Sequence, residues 1–221
     1  MTGHALRLAI FDCDGVLIDS EPLSQKMLAD EAASYGWAMT EAEMRGLTGL
    51  NWSALKPIFE ARLDRVLPAD WPATMQSRLI PLLAENARAM PGAKELLRAT
   101  AALGLPYRVA SNSSHQEMDQ KFAVTGLLPL VRGRVHSARD VARSKPAPDV
   151  FLAAAAAESV SPEECIVVED SVPGIAAAHA AGMRVIAYAP HGFVDAEGIR
   201  APHGVVRSLA DLPPLFEAAL G

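Results

Sequence analysis

The sequence predicts an α/β fold, a doubly wound parallel sheet (Rossmann-like core) with an inserted all-helical cap domain. A short, mostly apolar run, Leu6–Phe11, opens the chain and is typical of a strand buried on both faces. No strand-like run follows until about residue 90, and from residue 91 onward strand-like and helix-like segments alternate. That alternation is typical of a parallel sheet with helices on both faces. We therefore place the core domain at residues 1–20 and 91–221 and the helical cap at 21–90.

Local signals support each element in turn. In the cap, Ser20 and Pro22 are suited to the start of a helix, Thr40 with Glu43 forms a capping-box pattern, and Pro81 interrupts a last helix. In the core, apolar runs mark the remaining strands, and caps or first-turn prolines mark the helices between them. The expected cap helices are Pro22–Tyr35, a short one after Thr40, Ser53–Leu67 and Trp71–Met90. The expected core strands are Tyr107–Ala110, Gly133–Ser137, Cys165–Val168 and Met183–Tyr188. The expected core helices are Ala93–Leu103, His115–Val124, Pro148–Ala157, Val172–Ala181 and Ser208–Leu220.

The composition limits the choice of partners. Half of the 221 residues are hydrophobic, about a fifth are charged, and the formal net charge is -6. A nucleic-acid binder needs a basic face, so the acidic balance disfavours that class of partner. No signal peptide or membrane span is evident, and two cysteines in apolar runs suit a reducing compartment. We expect a cytoplasmic protein without a nucleic-acid or membrane partner.

Two aspartates follow the first predicted strand, in Asp12-Cys13-Asp14-Gly15. In an extended segment, residues two apart point to the same side, so both carboxylates are expected to face together. Their repulsion is relieved by a shared divalent cation, and Gly15 lets the backbone turn close to an anion. The alternative is an ordinary Asx turn after a strand.

Other polar residues follow later strands of the core. Ser111 ends a strand and precedes a helix, where a hydroxyl and free amides suit a phosphate oxygen. Glu169 and Asp170 end another strand, and a metal shared with Asp12 fits them. Lys145 lies in a proline-stiffened loop. Taken singly, Ser111 is better explained as a helix cap and Lys145 as a surface lysine, and one of the two acids can also be a helix cap, so the signal comes from the whole set.

At this point the sequence resembles the haloacid dehalogenase superfamily, in its β-phosphoglucomutase-like and sugar-phosphate phosphatase branch. The residues that carry the resemblance are Phe11 to Glu21, Val109-Ala110-Ser111-Asn112, Ser144-Lys145-Pro146, and Val168-Glu169-Asp170-Ser171 with Gly174. It covers almost the whole chain.

The resemblance implies a role for each residue. Asp12 would attack phosphorus and become an aspartyl phosphate, while Asp14 would act as acid and then as base. Mg²⁺ would be held by Asp12, the Asp14 carbonyl and Asp170, with Glu169 as a ligand or neighbour. The residues expected to bind the transferring phosphoryl group are Ser111, the Asn112 amide and Lys145. Members with a cap of this size are often monomers.

The predicted function is a Mg²⁺-dependent hydrolase of a small phosphorylated metabolite, with a sugar phosphate favoured. The resemblance implies that the segment Thr48 to Trp52 faces the site, with Gly49, Asn51 and Trp52 as substrate contacts, although Trp52 is equally well explained by packing between cap and core. Mutases of this branch carry an arginine-containing loop there, whereas here no arginine lies between Thr48 and Lys56 and Arg45 comes earlier. Hydrolysis is therefore favoured over phosphomutase activity. A non-catalytic sensor of a phosphorylated ligand is a third reading, disfavoured because both aspartates of the first motif are present.

Overall fold

A computed structural model describes residues 4–47, 50–192 and 200–220, apart from the side chain of Arg45. The chain divides into two compact units, residues 1–19 with 88–221 and residues 20–87. The boundaries expected from the sequence, after residues 20 and 90, lie within three residues of these divisions. Among the helices of the described segments, none combines the length and apolar character that crossing a bilayer requires.

The first unit is built on a parallel sheet. In its described residues six strands pair in the order β5-β4-β1-β6-β7-β8, and every pairing is parallel. The predicted fold class is therefore confirmed. The strands are β1 (Leu8–Phe11), β4 (Tyr107–Ser111), β5 (Val135–Ser137), β6 (Cys165–Glu169), β7 (Arg184–Tyr188) and β8 (Gly204–Val206), and a separate antiparallel pair is formed by β2 (Ile18–Asp19) and β3 (Arg88–Ala89).

Helices connect these strands, as the alternation predicts. They are α5 (Ala93–Ala102), α6 (His115–Val124), α7 (Leu128–Val131), α8 (Asp149–Ala157), α9 (Val172–Ala180) and α10 (Leu212–Ala219), with 3-10 turns at Pro162–Glu164 and Leu209–Asp211. The central strands β1 and β6 are buried along their whole length. The ring of Phe11 packs on Tyr107 and Phe216 at centroid distances of 6.1 and 6.2 Å. This dry core fixes the strand ends that carry the polar residues.

The second unit is helical, as predicted. Its helices are α1 (Glu21–Ser34), α2 (Glu41–Leu47), α3 (Trp52–Leu63) and α4 (Trp71–Asn86). Its centre is aromatic, with Phe59 between Trp37 and Trp71 at centroid distances of 5.2 and 5.1 Å. The buried carboxylate of Glu31 on α1 accepts a hydrogen bond from Trp71 Nε1 at 2.9 Å and pairs with Arg78 Nη1 at 2.6 Å. These bonds join α1 to α4, because both partners lie on α4.

The details differ from the sequence expectations at short elements. The sequence does not predict β2, β3 and β8, which have two or three residues each and carry too little pattern to be recognised. The helix expected to reach Met90 ends at Asn86, and it continues through Pro81 without the expected interruption.

Candidate active site at the carboxyl edge of the sheet

The site begins where β1 ends. Asp12 is 7% exposed and its backbone N–H donates to the Val168 carbonyl at 3.0 Å, which ties the loop to β6. Gly15 then takes a positive φ of 82°, a conformation that L residues with a Cβ rarely adopt. The chain turns back sharply, and the Gly15 N–H donates to the Ile18 carbonyl at 2.8 Å. Both aspartates of the first motif therefore lie at the carboxyl edge of the central strand.

Lys145 is the cation of this edge. Its ammonium is buried and donates to Asp12 Oδ1, to Glu169 Oε1 at 2.7 Å and to the Ala110 carbonyl at 3.0 Å. The three bonds use all three protons of the ammonium. The same group lies 4.6 Å from the centre of the Phe151 ring, a cation–π contact. The structure thus brings Lys145 directly against the aspartate expected to be the nucleophile.

The charges in this cluster do not balance. One buried ammonium faces two buried carboxylates, Asp12 and Glu169. Burial raises the pKa of Asp12 to about 7, against the opposing attraction of Lys145 and with added repulsion from Glu169 and Asp14. The pKa of Lys145 is raised because its two carboxylate partners outweigh burial, which acts in the opposite direction. A further cation would stabilise the ionised form of Asp12.

Asp170 lies on the other side of the first-motif loop. A Cβ built on Gly15 would come within 1.8 Å of Asp170 Oδ2, so the absence of a side chain at Gly15 leaves room for this carboxylate. The Asp170 side chain forms no hydrogen bond or ion pair with another described residue. Crowding by protein atoms, together with the negative charges of Glu169 and Asp12, raises the pKa of Asp170 well above its usual value, although the residue keeps an exposed face.

Glu169 is hydrogen-bonded through both of its carboxylate oxygens. Its Oε1 accepts from Lys145, and its Oε2 accepts from the backbone N–H and the hydroxyl of Ser171 at 2.8 and 2.9 Å. Both oxygens therefore accept hydrogen bonds, and Glu169 holds Lys145 in place, while its role as a metal ligand stays a prediction. Gly174 makes this possible, because a Cβ there would come within 1.8 Å of Glu169 Oε1.

The second aspartate has its own lysine. Lys121 Nζ donates to Asp14 Oδ1 at 2.8 Å and Oδ2 at 2.7 Å, and Ser113 Oγ donates to Oδ2 at 2.9 Å. Burial lowers the pKa of Lys121, but the Asp14 carboxylate outweighs burial and raises it overall. The sequence analysis does not identify Lys121 or Ser113. The available signal is a lysine one turn after Met118 and beside Phe122, in the buried stripe of α6, where a charge is costly without a partner.

The two remaining predicted residues end β4. Ser111 is 2% exposed, and its hydroxyl accepts from the Ser113 N–H at 3.0 Å. Asn112 Oδ1 accepts from the Lys145 N–H at 3.1 Å and so ties the end of β4 to the lysine loop. Hydrogen bonds therefore connect Asp12, Lys145 and Asn112, and Ser111 precedes Asn112 in the chain.

The donor set fits a hard divalent cation. In the described part of the chain, no three His, Cys, Asp or Glu side chains form a metal-binding group on their own. Mg²⁺ does not need one, because it binds through one or two carboxylates and keeps several waters or phosphate oxygens. Asp12 and Asp170 are the two carboxyls at this edge whose pKa is raised, so a bound cation would stabilise their ionised forms.

Two of the cap residues expected to contact substrate have structural roles within the helical unit. Trp52 is 7% exposed and packs edge-on against Trp71 within the helical unit, at a centroid distance of 5.9 Å. Asn51 caps α3 by accepting from the Ala54 N–H at 2.9 Å. Both assignments as substrate contacts stay predictions. Gly49 lies outside the described residues.

Comparison with known proteins agrees with the fold. Residues 6–182 match the haloacid dehalogenase-like hydrolase family. The chain is 33% identical over 216 residues to a probable pseudouridine-5'-phosphatase of Drosophila melanogaster, covering 93% of this chain and 90% of that protein. It is 32% identical over 192 residues to hexitol phosphatase B of Escherichia coli (strain K12), covering 84% of each. A HAD family hydrolase from Deinococcus radiodurans R1, solved with bound phosphate and sodium, superposes with a TM-score of 0.77 at 30% identity, covering 98% of this chain and 97% of that one.

The fold and the edge cluster define a hydrolase with a parallel sheet and an aspartate–lysine centre at its carboxyl edge. The chain belongs to the haloacid dehalogenase-like hydrolase family, as the resemblance implies. The two curated relatives described above are named as phosphatases, and the chain is an enzyme of that type.

Proposed function

We propose that the protein is a Mg²⁺-dependent phosphomonoester hydrolase that acts on a small sugar-phosphate-like metabolite through an aspartyl-phosphate intermediate. The observation that carries the proposal is the buried contact of Lys145 with both Asp12 and Glu169 at the carboxyl edge of the sheet. A lysine in that position holds the nucleophile in place and offers positive charge to a phosphoryl group. Relatives named as phosphatases of pseudouridine 5'-phosphate and of hexitol phosphates support the substrate class.

The positions of Asp12 and Asp14 at the carboxyl edge of the sheet support a reaction in two steps. An oxygen of Asp12 attacks phosphorus, the bond from phosphorus to the leaving oxygen breaks, and Asp14 gives that oxygen a proton. Water then attacks phosphorus, its proton passes to Asp14, and the bond from phosphorus to Asp12 breaks to release inorganic phosphate. The covalent intermediate divides one difficult transfer into two easier in-line displacements.

Charge stabilisation comes from two sources. Lys145 and the amides at the end of β4 neutralise the equatorial oxygens of the phosphoryl group. Mg²⁺, when held by Asp12, Asp170 and the Asp14 carbonyl, supplies the positive charge that lets a carboxylate approach a phosphate dianion.

The test is phosphate release from a panel of pseudouridine 5'-phosphate, hexitol phosphates, glycerol 3-phosphate and glucose 1-phosphate, with and without Mg²⁺. We expect Mg²⁺-dependent release by the wild type and a loss of at least about 10⁴-fold in Asp12→Asn, because no covalent intermediate forms. Asp119→Asn, an exposed aspartate on α6, is the matched control and should retain activity. Isomerisation of glucose 1-phosphate without release identifies a mutase, and binding without turnover identifies a sensor.

The covalent intermediate has a separate test. Acid-quenched protein incubated with ³²P-labelled substrate should carry label that hydroxylamine removes, as an acyl phosphate requires. Asp12→Asn should carry none. Turnover without any such label in the wild type would contradict the intermediate while leaving the hydrolase activity intact.

A further inference from the structure

We propose that Lys121 is a positioning residue for Asp14 and that Ser113 assists it. This inference rests on the proposed function, in which Asp14 exchanges protons with the leaving oxygen and with water. It concerns the residues that set the direction of the Asp14 carboxylate.

The contacts form a closed triangle. Lys121 donates to both oxygens of Asp14 at 2.8 and 2.7 Å and to Ser113 Oγ at 2.9 Å, while Ser113 donates to Asp14 Oδ2 at 2.9 Å. The three protons of the ammonium have three acceptors within reach. A carboxylate held at both oxygens by one ammonium, and at one oxygen by a hydroxyl, has little freedom to rotate.

Burial makes the arrangement asymmetric. The Lys121 side chain is 1% exposed, whereas that of Asp14 is 33% exposed. The lysine therefore lies on the protein side of the carboxylate, which keeps an accessible face. A fully buried ammonium is costly unless it is paired, so packing alone does not explain a lysine at this position of α6.

The surrounding backbone fixes the triangle in place. Ser114 and Glu117 form a capping box that starts α6 two residues after Asn112, and Ser137 Oγ donates to the Ser113 carbonyl at 2.7 Å. The segment from Ser111 to Lys121 thus carries the proposed phosphate contacts at the end of β4 and, on α6, the lysine that holds Asp14. The capped start of α6 fixes the position of Lys121 relative to the end of β4.

The test compares two leaving groups. An alkyl phosphate needs a proton on its leaving oxygen, whereas p-nitrophenyl phosphate expels a stable anion and needs little help. In Lys121→Met, kcat/KM for the best sugar or polyol phosphate of the panel should fall roughly 30- to 300-fold, and for p-nitrophenyl phosphate by less than about 5-fold. Methionine keeps an unbranched side chain of similar length, so the core is disturbed little.

A second variant covers the case in which Lys121→Met fails to fold. Ser113→Ala removes one contact at a partly exposed position and should show the same selective loss, roughly 3- to 10-fold. Arg108→Met is the matched control, because it removes a cation from an ion pair with Glu158 in the same unit at 2.7 Å. It should leave the ratio between the two substrates unchanged.

The outcomes separate the two proposals. A wild type that hydrolyses neither substrate overturns the proposed function and this inference with it. A wild type that is active, with variants that lose both substrates equally, lose neither, or gain on the alkyl phosphate, overturns the positioning role alone.

Discussion

Both units bury carboxylates, but only one of them balances the charge. In the helical unit, Glu31 is matched by Arg78 and by the indole of Trp71. In the α/β unit, Asp12 and Glu169 share the single ammonium of Lys145. A paired buried acid suits a structural contact, because its partners offset part of the cost of removing the charge from water. An unbalanced one is costly while ionised, so it favours either protonation or the binding of something positive.

The largest expected effect tests the unbalanced cluster by removing its cation. Lys145→Met leaves Asp12 and Glu169 buried together without a counter-charge. We expect it to lower the free energy of unfolding by about 3–5 kcal/mol and kcat/KM by at least about 100-fold. Urea unfolding and phosphate release measure the two effects. Arg143→Met, which breaks a surface ion pair with Asp149, should change neither.

Removing the excess charge should have the opposite effect on stability. Folded Asp12 has a pKa of about 7 against an ordinary 3.8, so the folded state binds the proton more tightly and loses stability as pH rises between these values. Asp12→Asn should therefore raise the free energy of unfolding of the metal-free protein by about 2 kcal/mol at pH 8 and by nothing near pH 4. Thermal melts at the two pH values measure this. Mg²⁺ should stabilise the wild type more than the variant, and a destabilised variant at pH 8 would refute the charge argument.

The balanced acid should respond to pH in the reverse sense. Burial acts to raise the pKa of Glu31, but bonds from Trp71 and Arg78 lower it overall. Its contribution is then present above the unfolded pKa and is lost as pH falls through the folded one. Glu31→Gln should cost about 1–3 kcal/mol at pH 7 and much less near pH 3. In matched melts, the change in unfolding free energy caused by Glu31→Gln and by Asp12→Asn should vary with pH in opposite directions. A change in the same direction for both variants would contradict the contrast between the two units.

The smallest expected effect compares alanine substitutions at two glycines that have the same φ. Gly15 and Gly36 both have φ of 82°, but a Cβ meets Asp170 at the first and nothing within 4 Å at the second. Alanine should cost about 1–2 kcal/mol of backbone strain at each position. Only Gly15→Ala should also displace Asp170 and weaken the apparent affinity for Mg²⁺, roughly 10-fold or more, as read from the Mg²⁺ dependence of phosphate release. Equal affinities in the two variants would separate Asp170 from the metal.

The sheet and its polar edge can be predicted from the sequence because both depend on local sequence patterns. Apolar runs such as Cys165–Val168 end in charged residues, and parallel strands bring such ends to one edge. The partners of those charges are not local. Glu169 belongs with Lys145, and Asp14 with Lys121, which lies 107 positions further along the chain. The sequence also does not show that Trp52 packs against Trp71, because a buried tryptophan and an exposed one have the same local sequence context.

The β2–β3 ladder has a consequence for how the chain is assembled. Asp19 and Arg88 face each other across this antiparallel pair, so everything between them departs from and returns to neighbouring positions. In the topology of the α/β unit, residues 20–87 take the place of a hairpin loop between the strands β2 and β3. The order of the main sheet does not depend on what the loop contains. An insertion closed in this way is free to diverge in length and sequence while the catalytic edge keeps its register.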